Sequence, residues 1–292
     1  MKTPILSAAL ILAATAVHAG TPVIDVKVSG HGRPVILIPG LATSGAVWDD
    51  TVSRLQDRFE CHVVTIAGFG GAPAVKTDNL LGAVRDELLA YIRARSLDKP
   101  VLVGHSLGGA VALDVAEHAP DVPSEIVVVD TLPFVAAVMM PGVNDAAAAK
   151  NGAAAMRVRM QGQTPEQFAK YQNDVVIPSM VTKPDDIKRV AAICSKSDPA
   201  TVAQAMEELL GLDLRPDLGK ISSPLVVFGA LADKLQYGPR AAIEQNYRNQ
   251  YANAPQTRFE FFEKAKHFIM IDEPAAFAAA LDKELANAYA AR

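Results

Sequence analysis

A serine hydroxyl is a weak nucleophile until a neighbouring base takes its proton. The run Gly104-His105-Ser106-Leu107-Gly108 has the residue types to present such a hydroxyl. Glycines stand two residues before and two after Ser106, where side chains would collide in a tight strand-to-helix turn. The continuously apolar run PVLVG leads into the serine and the helical pattern LGGAVALDVAEHA leads out of it. That context selects Ser106 as the nucleophile of an acyl-transfer reaction rather than as part of an ordinary glycine-rich turn.

The base for such a serine is nearly always histidine, and the chain has six. His18 lies in the apolar N-terminal leader, His31 in an early turn and His62 in a strand. His105 is pinned in the turn itself, and His118 ends a helix, where a cationic side chain is favoured in any case. His267 follows the strand RFEFF by a short loop, at the end of a parallel sheet where ligands bind. It is the expected base. A carboxylate must hold its tautomer. Asp233, beyond the strand PLVVF, is preferred because it gives the chain order serine, aspartate, histidine with the acid after the strand preceding the histidine. Asp130, directly ending the strand EIVVV, is the competitor, and Asp272 reads as a helix-start residue. Oxyanion donors are expected from the backbone N–H of Leu107, next to the nucleophile, and of Leu41, after the strand PVILI.

The elements that position these groups alternate. Strands are expected at Pro22–Val28, Pro34–Ile38, Cys61–Ile66, Pro100–Val103, Glu125–Val129, Pro224–Phe228 and Arg258–Phe262. Helices are expected near Ala46–Leu55, Asn79–Arg95, Leu107–His118, Pro239–Tyr251 and Glu273–Ala291. Continuously apolar strands between helices imply a mostly parallel sheet covered on both faces. Residues 135–215 carry no strand signal. Their helix starts are Thr164-Pro165-Glu166, Thr182-Lys183-Pro184-Asp185 and Ser197-Asp198-Pro199. The expected organisation is an α/β core over 20–134 and 216–292, interrupted by a helical cap at 135–215. Six of the eight methionines (139, 140, 156, 160, 180 and 206) fall in the cap. Plain packing is the preferred account of them, and an adaptable apolar wall for an acyl chain the alternative. Phe134, Phe168, Tyr171 and Tyr237 are further candidates for lining a pocket.

Composition narrows the partners. Half of the 292 residues are apolar and the net charge is −4. Without a run of basic residues, nucleic acid is not an expected partner. Met1-Lys2, the apolar Ile5–Val17 and the small residues of Val17-His18-Ala19 have the pattern of a secretory signal over residues 1–19. The apolar run is shorter than the roughly 20 residues a membrane-spanning helix needs. A periplasmic or secreted protein with no membrane span after signal removal is the expectation. Cys61 and Cys194 are expected as two buried free thiols. No cysteine or histidine cluster has metal-ligand spacing, so neither metal nor cofactor is expected.

Taken together, Pro39-Gly40 with Trp48, Gly68-Phe69-Gly70-Gly71, Gly104-His105-Ser106-Leu107-Gly108-Gly109, Gly229 with Asp233, and His267 resemble the α/β-hydrolase superfamily. The resemblance is to its capped Ser-His-Asp branch of esterases, proline iminopeptidases and perhydrolases. It implies the α/β-hydrolase fold and a catalytic set of Ser106, Asp233 and His267. In that family the acid usually lies three residues after the strand-end glycine. Here Asp233 lies four after Gly229, which keeps Asp130 in play. The expected function is hydrolysis of small to medium apolar carboxylic esters, a small-molecule substrate, through an acyl-serine. Amidase, peptidase, lactonase or perhydrolase activity with the same triad is the alternative, and a non-catalytic binding protein on the same fold the remaining one.

Overall fold

The structure, a computed structural model, describes residues 21–290. The signal sequence expected at 1–19 lies outside them. Seven strands form one sheet: β1 (Ile24–Gly30), β2 (Arg33–Ile38), β3 (Phe59–Ile66), β4 (Val101–His105), β5 (Glu125–Val129), β6 (Leu225–Ala230) and β7 (Arg258–Phe262). Their order across the sheet is β1-β3-β2-β4-β5-β6-β7. Only β1 runs antiparallel, against β3. From β3 to β7 every neighbouring pair is parallel.

The central strands β4 and β5 are buried along their whole length, as continuously apolar sequences must be when helices cover both faces. The core-flanking helices are α1 (Asp49–Leu55), α2 (Leu80–Ala94) and α3 (Leu107–His118). The register sets the site. Gly104 pairs with Val128 and His105 with Val129, so β4 and β5 end side by side. Val129 pairs with Phe228, which aligns the end of β5 with β6.

Between β5 and β6 the chain runs through six helices: α4 (Ala136–Met139), α5 (Ala146–Gln161), α6 (Pro165–Tyr171), α7 (Ile177–Met180), α8 (Pro184–Cys194) and α9 (Pro199–Gly211). A π-helical turn, Gln172–Val176, joins α6 to α7. Thr164 caps α6 in a reciprocal capping box with Gln167. Asp198 caps α9 by accepting from Thr201 N–H, with Pro199 in the first turn. The stretch after β6 adds α10 (Arg240–Gln250), α11 (Ile269–Asp272) and α12 (Pro274–Ala290).

Five of the six methionines of the insertion divide between two packing sites, and Met139 is exposed. Met140, Met156 and Met206 pack around buried Phe134, Ala149, Ala153 and Leu210. Met160 and Met180 pack with buried Phe168 against the main core. Tyr171 and Tyr237 are exposed instead. Cys61 and Cys194 are free and buried, and burial pushes their thiols up to about 11 and about 12. Among the described residues no helix is long and apolar enough to cross a membrane.

Candidate active site

Ser106 sits between β4 and α3 with φ 53° and ψ −122°, a backbone conformation a side-chain-bearing residue rarely adopts. Such strain costs on the order of 1–3 kcal/mol and persists only where the surroundings enforce it. The flanking glycines are part of that enforcement. A Cβ on Gly104 would lie 2.2 Å from the Gly108 carbonyl oxygen, and one on Gly108 would lie 2.3 Å from that of Ile38. Ser106 N–H donates to Val129 O at 2.9 Å, and Thr131 Oγ1 donates to Ser106 O at 2.6 Å. Among the described residues, three of the five non-glycine residues with positive φ, Ala42, Ser106 and Asp130, stand just beyond the ends of β2, β4 and β5. Strain therefore gathers at one end of the sheet, the end at which open α/β sheets bind ligands.

His267 lies in the loop after β7, and its ring is 4.7 Å from that of His105. His105 Nε2 lies 3.0 Å from His267 O and donates to it, tying the histidine loop to the residue before the nucleophile. Burial, and then the neighbouring His267, push His105 down to about 3, so it stays neutral. His267 Nδ1 lies 2.7 Å from Asp130 Oδ2. Since Asp130 is ionised, Nδ1 carries the proton and Nε2 is left as the basic nitrogen. Ser106 Oγ makes no hydrogen bond among the described residues. In substrate-free enzymes contacts of this kind are often loose and tighten in the reacting complex.

The preference for Asp233 as the partner of His267 is corrected: the structure brings Asp130 to the imidazole. After β6 the chain coils into a turn in which Lys234 N–H and Leu235 N–H both donate to Leu231 O. This turn presents Lys234, not Asp233, to the end of β5. Lys234 Nζ lies 3.1 and 3.0 Å from the two Asp130 oxygens, and Asp233 Oδ1 takes the same ammonium at 3.4 Å.

The Asp130 carboxylate is 2% exposed and has a full set of donors. Oδ1 also accepts from Ala230 N–H at 2.9 Å and Tyr247 OH at 2.6 Å. Burial alone would raise its pKa. The Lys234 charge, the His267 bond and the Tyr247 hydroxyl outweigh burial and hold it well below the usual carboxylate range. No motif in the sequence marks Lys234, Tyr247 or Thr131 as part of the site. The one signal available for Lys234 is its position next to Asp233.

Gly40 approaches the turn so closely that a Cβ there would lie 3.1 Å from Ser106 Cβ. The backbone hydrogen bonds of turns and caps leave the N–H groups of Leu41 and Leu107 without partners among the described residues. Both therefore remain available to an oxyanion. The loop carrying Leu41 is braced from the insertion, since Ser197 Oγ donates to Ala42 O at 2.8 Å and accepts from Gly70 N–H at 2.8 Å. Asp272, read from the sequence as a helix-start residue, instead ends α11 and accepts from Thr182 and from Lys266 N–H. Among the described residues no group of three or more His, Cys, Asp or Glu side chains could hold a metal ion.

The model of one family, described as the alpha/beta hydrolase family, matches residues 35–280, and the chain belongs to that family. The pimeloyl-[acyl-carrier protein] methyl ester esterase of Nitrosomonas europaea is 27% identical over 271 residues, 89% of this chain and 98% of that protein. The esterase of the same name from Aeromonas hydrophila subsp. hydrophila is 29% identical over 264 residues, 87% of this chain and 96% of that one. Among solved structures, a thermophilic esterase from Thermogutta terrifontis superposes with TM-score 0.75 at 22% identity, covering 91% of this chain and 94% of that one. The enol-lactonase of Burkholderia xenovorans LB400 superposes with TM-score 0.73 at 18% identity, covering 90% and 96%. These two likenesses establish the fold.

Proposed function

We propose that this protein is a serine carboxylic ester hydrolase with Ser106 as nucleophile, His267 as base and Asp130 as the acid that orients it. The observation that carries the reading is the strained Ser106 turn beside an imidazole whose Nδ1–H is held by a buried, ionised aspartate. His267 Nε2 takes the Ser106 proton as Oγ attacks the ester carbonyl carbon. Leu41 and Leu107 N–H bind the developing oxyanion, each such donor being worth about 10²–10³ in rate. The imidazolium then protonates the leaving alkoxide, leaving an acyl-serine. Water, deprotonated by the same His267, attacks the acyl carbon and releases the carboxylic acid with Ser106 restored.

Small to medium apolar esters are the proposed substrates. Met160, Met180 and Phe168 turn an apolar side of the insertion toward the core. The three donors of Lys234, the cation beside Asp130, are already taken by Asp130 and Asp233. The ester-cleaving relatives support the same choice of reaction. Export to the periplasm or beyond is part of this proposal and rests on the leader sequence. Determining the N-terminus of the protein from fractionated cells tests it, with a chain starting after Ala19 expected.

The test of the reaction is a panel of p-nitrophenyl esters of increasing acyl length, run beside amide and lactone substrates. Ser106→Ala is expected to lower ester kcat by at least about 10³-fold. Undiminished turnover in that variant would overturn the reading, and amide or lactone turnover well above ester turnover would reassign the substrate.

A further inference from the structure

Lys234 places an ammonium against the acid of the proposed triad, a contact that the reaction steps above do not use. Its side chain is only about a quarter exposed, and its three donors go to Asp130 Oδ1, Asp130 Oδ2 and Asp233 Oδ1. Asp130 Oδ2 also receives His267 Nδ1–H at 2.7 Å. Together these contacts put the ammonium within about 6 Å of the imidazole nitrogen, a range at which charges in a partly buried site still interact strongly. The charges form a row: Asp233 negative, Lys234 positive, Asp130 negative, and His267 positive only when it has taken a proton.

We propose that Lys234 is a positioning residue for the hydrolysis argued above: its ammonium partly cancels the charge with which Asp130 would hold a proton on His267, and Asp233 partly restores that charge. The inference rests on the reading of Ser106, His267 and Asp130 as the reacting set. A neutral His267 is the working base. A carboxylate 2.7 Å away favours the protonated imidazole, which leaves the serine without a base. Lys234 opposes that protonation, and Asp233 limits the opposition. The aspartate preferred from the sequence thus acts on the histidine through the lysine between them.

The other groups around the imidazole do not supply this balance. His105, from the end of β4, is neutral, and its Nε2–H is used on the His267 carbonyl. Tyr247, from α10, is a neutral donor to Asp130, its hydroxyl kept protonated by burial and by the Asp130 charge. Lys266, in the histidine's own loop, points its ammonium at the carbonyls of Pro178 and Val181. Asp272, from α11, is occupied by Thr182 and Lys266 N–H. Lys234 itself stays charged: burial would lower its pKa, but Asp130 and Asp233 raise it above the ordinary lysine value.

The experiment is the pH profile of kcat/KM on p-nitrophenyl butyrate for wild type, Lys234→Met, Lys234→Arg and Asp233→Asn, each checked for native circular dichroism. The acid limb is expected to move up by about one pH unit in Lys234→Met and down by about half a unit in Asp233→Asn. Lys234→Arg should return it close to wild type. A merely structural lysine would lower activity in Lys234→Met and Asp233→Asn without moving their acid limbs in opposite directions, and that result overturns the proposal. Should Lys234→Met fail to fold, the downward shift in Asp233→Asn decides alone. Absence of any wild-type turnover on the ester would instead count against the hydrolase reading itself.

Discussion

At the scale of single residues, the site depends on which carboxylate meets His267. Asp130 meets it at 2.7 Å while also accepting from Tyr247, Ala230 and Lys234, so its orientation and charge are both held. Asparagine at 130 would present a group that can favour the wrong histidine tautomer. Asp130→Asn is therefore expected to lower kcat/KM on a p-nitrophenyl ester by about 10⁴-fold. Asp233→Asn, one contact further away, should cost no more than about tenfold at the plateau of its pH profile. Steady-state kinetics on the two variants compares them directly, and a larger loss in Asp233→Asn would return the acid's role to that residue. The tight turn at Ser106 and the loop position of His267 were legible in the sequence because their signals are local. Glycine spacing marks the serine, and a loop after a strand marks the histidine. Asp130 and Asp233 both end strands, and strand ends alone do not say which one turns inward.

At the scale of elements, α3 carries the candidate nucleophile at its start and an uncompensated carboxyl near its end. Glu117 is buried and its Oε1 has no hydrogen-bond partner among the described residues. Burial, and then the charge of Asp114, push Glu117 up to about 8 from an ordinary value of 4.5. A carboxyl held above its unfolded value favours the fold fully below about pH 4.5. That contribution is lost as the pH rises toward about 8, because the folded state resists ionisation that the unfolded chain permits. Glu117→Gln removes the penalty. It is expected to raise the melting temperature by about 2–4 °C at pH 8.5 for each kcal/mol relieved, and to change it little at pH 4.5. Thermal scans at the two pH values check this, and an equal shift at both would rule out the ionisation account. The elements themselves follow the periodicities closely. Leu107–His118, Glu125–Val129 and Arg258–Phe262 fall where the patterns put them. The helix expected from Ala46 instead opens as a tighter 3₁₀ turn at Gly45–Trp48 before continuing as α1, because Ser44 caps the chain there and Trp48 is drawn into the core.

At the scale of the whole molecule, the helical insertion and the histidine loop are clasped together. Lys266 Nζ donates to Pro178 O and Val181 O, and Asp272 accepts from both Thr182 N–H and Thr182 Oγ1. These contacts join the segment after the π turn to the residues flanking His267. Asp272→Ala removes the acceptor shared by Thr182 and Lys266. Faster amide hydrogen exchange is expected over residues 176–182 and 264–268, with a fall in kcat of about tenfold or more. Unchanged exchange in both segments would show that the clasp does not hold them. The sequence by itself determined the alternation of strands and helices, the serine turn and the histidine loop, because each rests on the chemistry of residues close together in the chain. Tertiary structure alone decided which carboxylate meets His267, the lysine beside it and the insertion's grip on the histidine loop. The first two depend on the register of β5 against β6 and on the direction of the turn at 231–235, and the third on contacts of residues 178–182 with Lys266 and Asp272, all set by packing between segments far apart in the chain.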